Sequence, residues 1–154
     1  MRIDDLKAMR IWVCFSIRKK NGRFEKKPIS AYGTETGSDA AHAHTWVIYD
    51  EAVKAMNEKG YDAVGFSLPE NMFFQDIDHM DETDPFVQIR IDRLDTYTER
   101  SYSGTGVHSY GLMDASKIPT YEKDGKLKLD KAFYQKNPHN NIELYFGAIT
   151  NRFA

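Results

Sequence analysis

Asp76 and Asp78 stand at alternate positions in the run Phe73-Phe74-Gln75-Asp76-Ile77-Asp78-His79-Met80-Asp81. In an extended strand successive side chains point to opposite faces, so the two carboxylates project from the same side. Side by side they repel each other and lose solvation unless a cation or another positive group lies between them. Hard oxygen ligands of this kind suit Mg²⁺ or Mn²⁺, which hold substrate phosphates in their remaining coordination positions. The same residues also describe a solvated acidic turn at the end of a strand, and the pair alone does not decide between the two.

Two further stretches carry chemistry-bearing residues. Ser103-Gly104-Thr105-Gly106 leads into an apolar segment containing His108. Glycines and hydroxyls so placed let backbone amides approach an anion closely, and an imidazole beside them suits phosphate; His108 could equally be a satisfied structural histidine. Glu143 lies inside the apolar run Ile142-Glu143-Leu144-Tyr145-Phe146. On a sheet edge it is unremarkable, whereas in a central strand it needs a partner such as a metal. Charge is segregated around these residues. Six bases (Arg18, Lys19, Lys20, Arg23, Lys26, Lys27) accompany one acid, Glu25, whereas residues 70–84 hold six acids and no Lys or Arg. Residues 117–136 are Lys-rich again. An acidic metal pole beside basic anion-binding flanks has this pattern, and so do ordinary solvated loops.

The elements that must position these residues follow from local pattern. Residues 11–17 read as a short buried strand, the basic run as a loop closed by Lys27-Pro28, and residues 31–43 as loop. Thr45 is the expected N-cap of a helix carrying Trp46, Tyr49, Val53 and Met56, ended by Gly60. Residues 61–68 and 72–78 read as two strands of a hairpin about Pro69-Glu70-Asn71. Asp84-Pro85 opens a further helix with Phe86, Ile89, Leu94 and Tyr97 on it, although Val87, Ile89 and Ile91 also alternate as in a strand. Residues 112–140 read as a polar excursion with one short helix, 141–146 as a strand, and 150–154 as the start of another.

A chain of 154 residues with 41% hydrophobic and 29% charged residues predicts one domain with a proper core. A net charge of −2 announces no global attraction to nucleic acid. The lone Cys14 excludes an internal disulfide and reads as a packed small hydrophobe. No apolar run reaches the roughly 20 residues needed to span a bilayer, and no signal peptide is visible, so the expected setting is the cytoplasm, without a membrane partner.

In order and spacing, D-I-D at 76–78, S-G-T-G-V-H at 103–108 and I-E-L-Y at 142–145 resemble the archaeo-eukaryotic primase superfamily. The resemblance lies with the primase-polymerase domains of phage and plasmid replication proteins. Lys27-Pro28, and Thr45-Trp46 ahead of a helix containing Ala52, are similar to the N-terminal region of that family. The resemblance implies an α+β fold: a central, mostly antiparallel sheet with an RRM-like catalytic half and an N-terminal α/β unit. It implies DNA primase or DNA polymerase activity, that is, nucleotidyl transfer from nucleoside triphosphates on a single-stranded DNA template. Asp76, Asp78 and Glu143 then hold two Mg²⁺ or Mn²⁺ ions. His108 and the loop Ser103, Gly104, Thr105 and Gly106 contact the triphosphate, and Arg152 falls where the family's terminal R-[YF] begins. Arg18, Lys19, Lys20, Arg23, Lys26 and Lys27 are candidates to track the template, with Tyr97, Tyr102 and Tyr110 as base-stacking platforms. The sequence departs from the family at Gly106, where Ser is usual, and at polar Gln75. It also ends before the family's T-G, which suggests a fragment of a longer replication protein with helical or helicase domains. Two other readings stay open: a catalytically incomplete module binding nucleotide or single-stranded DNA, and a rolling-circle nuclease using His42 and His44.

Overall fold

The apolar run at 11–17 becomes the centre of a three-stranded antiparallel sheet. A single-turn helix α1 (Asp4–Lys7) precedes strand β1 (Trp12–Lys20), which continues through the basic residues. Asn21 and Gly22 reverse the chain at φ of 49° and 78°, and β2 (Arg23–Ile29) returns with Arg23 opposite Lys20. Asn-Gly fits the tight two-residue hairpin turn because both residues tolerate left-handed backbone. The basic run is therefore a β-ribbon and not a loop: its turn signal outweighs the low strand propensity of lysine. Helix α2 (Tyr49–Lys59) ends as expected at Gly60, whose φ is 71°. Its N-terminus is not Thr45, which instead closes a 3₁₀ turn, Ala40–Thr45, with its hydroxyl donating to the His42 carbonyl. Strand β3 (Ala63–Phe66) pairs with the other side of β1, giving the order β2-β1-β3. Ala52 and Ala55 of α2, Val13, Cys14, Trp12 and Phe66 are buried, and Trp12 donates from Nε1 to the Leu6 carbonyl at 2.9 Å.

The computed structural model describes residues 2–137 and 139–154, which form two compact units, one of residues 2–68 with 151–154 and the other of residues 69–150. In the second unit, β4 (Met72–Asp78) is followed by α3 (Pro85–Leu94), β5 (Tyr97–Arg100) and β6 (Gly106–Leu112). A 3₁₀ turn at Ala115–Lys117 and a hairpin of β7 (Thr120–Lys123) and β8 (Lys126–Leu129) come next, then β9 (Ile142–Phe146). The main sheet runs β5-β6-β4-β9, with every pairing antiparallel. The expected hairpin of β3 and β4 does not form. β6 and β9 occupy both edges of β4, so β3 has no edge there to join and pairs with β1 instead.

Asp84 caps α3 through its carboxylate, which accepts from Phe86 N–H at 2.8 Å, with Pro85 in the first turn. The helix stops at Asp95, whose φ is 42°, so Tyr97 belongs to β5 and not to the helix. Val87 of α3 packs on Ile77, Val107 and Ile142, all buried on one face of the sheet. The region 112–140 is more ordered than its polarity suggested, because Asp124-Gly125 (φ 53° and 70°) makes a second tight turn; Pro138 lies outside the described residues. The end of the chain pairs with the end of β3 and the residues after it through the Ser67–Phe153 bridge, two backbone bonds between Phe66 and Ala154 and one from Leu68 N–H to the Arg152 carbonyl, without growing into a strand. Among the described residues, no helix is long and apolar enough to cross a membrane.

Candidate active site

Because β5, β6, β4 and β9 are in register, their residues form rows across one face of the sheet. Tyr97, Tyr110, Phe74 and Tyr145 make the first row, each opposite the next. Their ring centroids lie 5.9, 5.0 and 5.8 Å apart with planes tilted by at most 25°. Two residues along each strand the row is Glu99, His108, Asp76 and Glu143. Asp78 comes next on β4, opposite Gly106, with its N–H bonded to the Asn141 carbonyl. Asp76 therefore sits in the middle strand with a histidine on one side and a glutamate on the other, and Asp78 shares its face. The opposite face carries Ile77 and packs against α3.

The aromatic row holds this arrangement. Phe74, Tyr110 and Tyr145 are buried, and stacked rings add stabilisation beyond the area they bury. Burial takes Tyr110 out of the base-stacking role expected of it; its hydroxyl instead donates to Glu99 at 3.0 Å. Tyr102 remains half-exposed.

The second row is electrostatically coupled. His108 Nε2 lies 3.4 Å from Asp76 Oδ1, and Nδ1 lies 3.8 Å from Glu99 Oε1. Burial pushes the imidazole pKa down, but the two carboxylates outweigh it and hold the ring above its usual range. Glu99, pushed up by burial, is brought below its ordinary value by His108 and by the Tyr97 and Tyr110 hydroxyls. Asp78 is raised, first by burial and then by the like charges of Asp76 and Glu143. Glu143 is opposed by burial yet held low by Lys136 and Tyr145, which both bond its carboxylate. Among the described residues no three acid, histidine or cysteine side chains stand as a ready ligand cage; Glu143 is turned to Lys136. The donor set nonetheless suits a hard cation. Asp76, Asp78 and Glu143 offer only oxygen, and Asp78 is raised first by burial and then by the like charges of the other two.

The glycine loop closes the turn from β5 to β6. Ser101 N–H donates to the Gly106 carbonyl and Gly104 N–H to Ser101, while Thr105 N–H meets Ser103 Oγ at 3.4 Å. Two of the amides expected to face an anion are thus engaged within the loop. Gly106 has a separate reason to be glycine: a Cβ there would stand 2.5 Å from the Ile77 carbonyl oxygen and 3.4 Å from Asp78 Cα. Gly106→Ala is expected to cost about 1–3 kcal/mol through overpacking against rigid backbone. Because the displaced neighbour carries Asp78, Mn²⁺ affinity should fall in the same variant, measured by calorimetry beside urea unfolding.

The other expected site residues lie in the first unit. Arg18, Lys20, Arg23 and Lys27 occupy one face of the β1–β2 ribbon, and Lys19 and Lys26 the other. On that second face Lys19 lies 5.8 Å from the ring centroid of exposed Phe24. The Arg152 carbonyl accepts from Leu68 N–H. His42 and His44 sit on the 3₁₀ turn, not on a strand; His42 faces Asp39 at 3.0 Å and His44 the Ala41 carbonyl at 2.9 Å.

Sequence reading missed Glu99, Lys136 and Phe24. The alternation Tyr97-x-Glu99 held the signal for the first, hidden by the helical reading of Tyr97. Phe24 followed from the Asn-Gly turn. Lys136 reaches Glu143 through an isolated bridge that no local pattern encodes. The chain matches no protein-family model and no curated protein, so the candidate site rests on its own geometry.

Proposed function

We propose that this chain is a divalent-metal-dependent nucleotidyltransferase of the primase-polymerase type, acting on a single-stranded DNA template. One observation carries the reading: Asp76 is flanked in register by His108 and Glu143, with Asp78 next along the same face. The strand order β5-β6-β4-β9, with α3 linking β4 to β5, agrees with the RRM-like catalytic half that the resemblance implies. Asp76, Asp78 and Glu143 would hold Mg²⁺ or Mn²⁺. Such ions activate the attacking 3′-hydroxyl and neutralise the leaving pyrophosphate. His108, its pKa pushed down by burial but raised overall by Asp76 and Glu99, would face the triphosphate, and Lys136 adds positive charge beside Glu143. The stacked aromatic row beside them on the same face packs against the sheet, so the charged groups stand on a preorganised support.

Template-dependent incorporation of labelled nucleotide on primed single-stranded DNA with Mn²⁺ tests the reading. Absence of incorporation with either metal and with both ribo- and deoxynucleotides defeats it. The pairing of Glu143 with Lys136 favours a second reading, a module that binds nucleotide without catalysis; triphosphate binding with no incorporation identifies it. In either case His108→Ala should weaken triphosphate binding by about 10-fold or more, the size of a lost charged hydrogen bond. Metal affinity should change much less, and equal losses in calorimetry remove the assigned role.

The β1–β2 ribbon supplies six basic side chains and exposed Phe24, a combination suited to the backbone and bases of a single strand. Binding of a fluorescent oligonucleotide should weaken steeply between about 50 and 200 mM salt, with a log–log slope of roughly −0.7 per phosphate contacted. A flat response dismisses the ribbon as a template track.

A further inference from the structure

On the reverse face of the second unit's sheet, a cavity of about 350 Å³ opens between α3 and β4, lined by Gln75, Phe86, Ile89, Arg90, Arg93 and Leu94. Gln75 neighbours Asp76 on β4, and strand alternation points it to the helix side. The residue is buried, with 5% of its surface exposed, and its Nε2 has no hydrogen-bond partner among the described residues. Arg90 Nε is likewise buried and without a partner. The Arg90 guanidinium lies 4.6 Å from the centroid of the Phe86 ring, which aligns it without supplying an acceptor. Two residues that each carry a buried donor without a partner thus line one cavity whose described lining contains no acid.

Burying donors without acceptors is unfavourable, and the chemistry they lack is specific. Arginine has only N–H groups to offer, and its planar fork matches the oxygens of a phosphate or carboxylate. The amide of Gln75 adds a neutral donor from the sheet side. Arg90 and Arg93 together carry the charge that a phosphate monoester balances at neutral pH, whereas a carboxylate balances half of it. Phe86, Ile89 and Leu94 offer an apolar wall for the rest of the molecule. The volume lies near the lower end of the roughly 300–1,000 Å³ of small-molecule sites, which restricts the ligand to a compact one.

We propose that this cavity binds a small phosphate monoester carrying an aromatic or aliphatic body, at a site separate from the Asp76 row.

Phenyl phosphate is the probe, titrated by calorimetry into the full chain in EDTA so that metal-mediated phosphate binding at the acidic row does not report. Binding tighter than about 1 mM is expected. Gln75→Leu and Arg90→Met should each weaken it about 10-fold or more, with benzoate weaker than phenyl phosphate in the parent chain. Gln75→Leu should also raise the urea midpoint, because it removes a buried polar group without acceptor; this keeps the variant a test of binding and not of folding. Absence of saturable phenyl phosphate binding overturns the proposal, as does unchanged affinity in Gln75→Leu. Benzoate binding as tight as phenyl phosphate overturns the phosphate assignment.

Discussion

Asp76→Asn is expected to lower metal-dependent nucleotide incorporation by a factor of at least about 10², the scale on which removal of a preorganised charged group acts. Mn²⁺ binding should be lost with it. The size of the effect follows from position. Asp76 is the one carboxylate with a site residue directly opposite on each neighbouring strand, His108 and Glu143. Asparagine keeps its volume and shape, so the aromatic row and the strand pairings have no steric reason to move. Stability should change little at neutral pH, because two electrostatic effects oppose each other. The His108–Asp76 ion pair at 3.4 Å is lost, and Asp78 is relieved of one like charge.

These effects separate with pH. The folded-state pKa of His108 is raised, with Asp76 and Glu99 outweighing burial. A raised value means that the pair stabilises the fold fully below the unfolded imidazole pKa of about 6.5 and fades as pH rises through the higher folded value. The parent chain should therefore lose stability on this account as pH climbs past about 6.5, and Asp76→Asn should show a flatter profile. Urea midpoints across that window check it; parallel profiles would mean that Asp76 does not set the charge state of His108.

The parts of this site legible in the sequence are those governed by local rules. Strand alternation alone puts Asp76 and Asp78 on one face, and Asp84-Pro85 marks the start of the helix that covers the other face. The position of His108 just inside a strand follows from the glycines before it. What stayed hidden depends on pairing between distant segments. No local pattern states that β4 lies between β6 and β9, so the union of Asp76 with His108 and Glu143 came only from motif order, and the contact of Lys136 with Glu143 from nothing. Other misreadings were local conflicts in which the weaker signal won. Lysine density concealed the Asn21-Gly22 turn, polarity concealed Asp124-Gly125, and helical spacing drew Tyr97 past a break at a non-glycine residue, Asp95, in left-handed conformation. That last error also removed Glu99 from view, because its row is defined only once β5 is a strand.

Ile77→Ala should do the reverse of Asp76→Asn, although the two residues are adjacent. Ile77 is fully buried and packs with Val87, Val107 and Ile142, while Met80, Phe86 and Ile91 close around them. Truncation removes buried methyl and methylene groups and leaves a cavity between a sheet and a helix that cannot collapse freely. The expected loss is about 2–5 kcal/mol, against a total of roughly 5–15 kcal/mol for an ordinary domain. Ile77→Val should cost only about 0.5–1.5 kcal/mol, because the branched stem continues to fill the same space. Urea unfolding of both variants measures the two losses, with an unchanged slope showing that the same surface is exposed. The folded fraction of Ile77→Ala should still bind Mn²⁺, since its side chain points away from the acidic row. A loss below about 1 kcal/mol would mean that α3 does not pack on β4 as described. Without that packing, the pairings with β6 and β9 alone would hold the strand whose alternation presents Asp76 and Asp78 together.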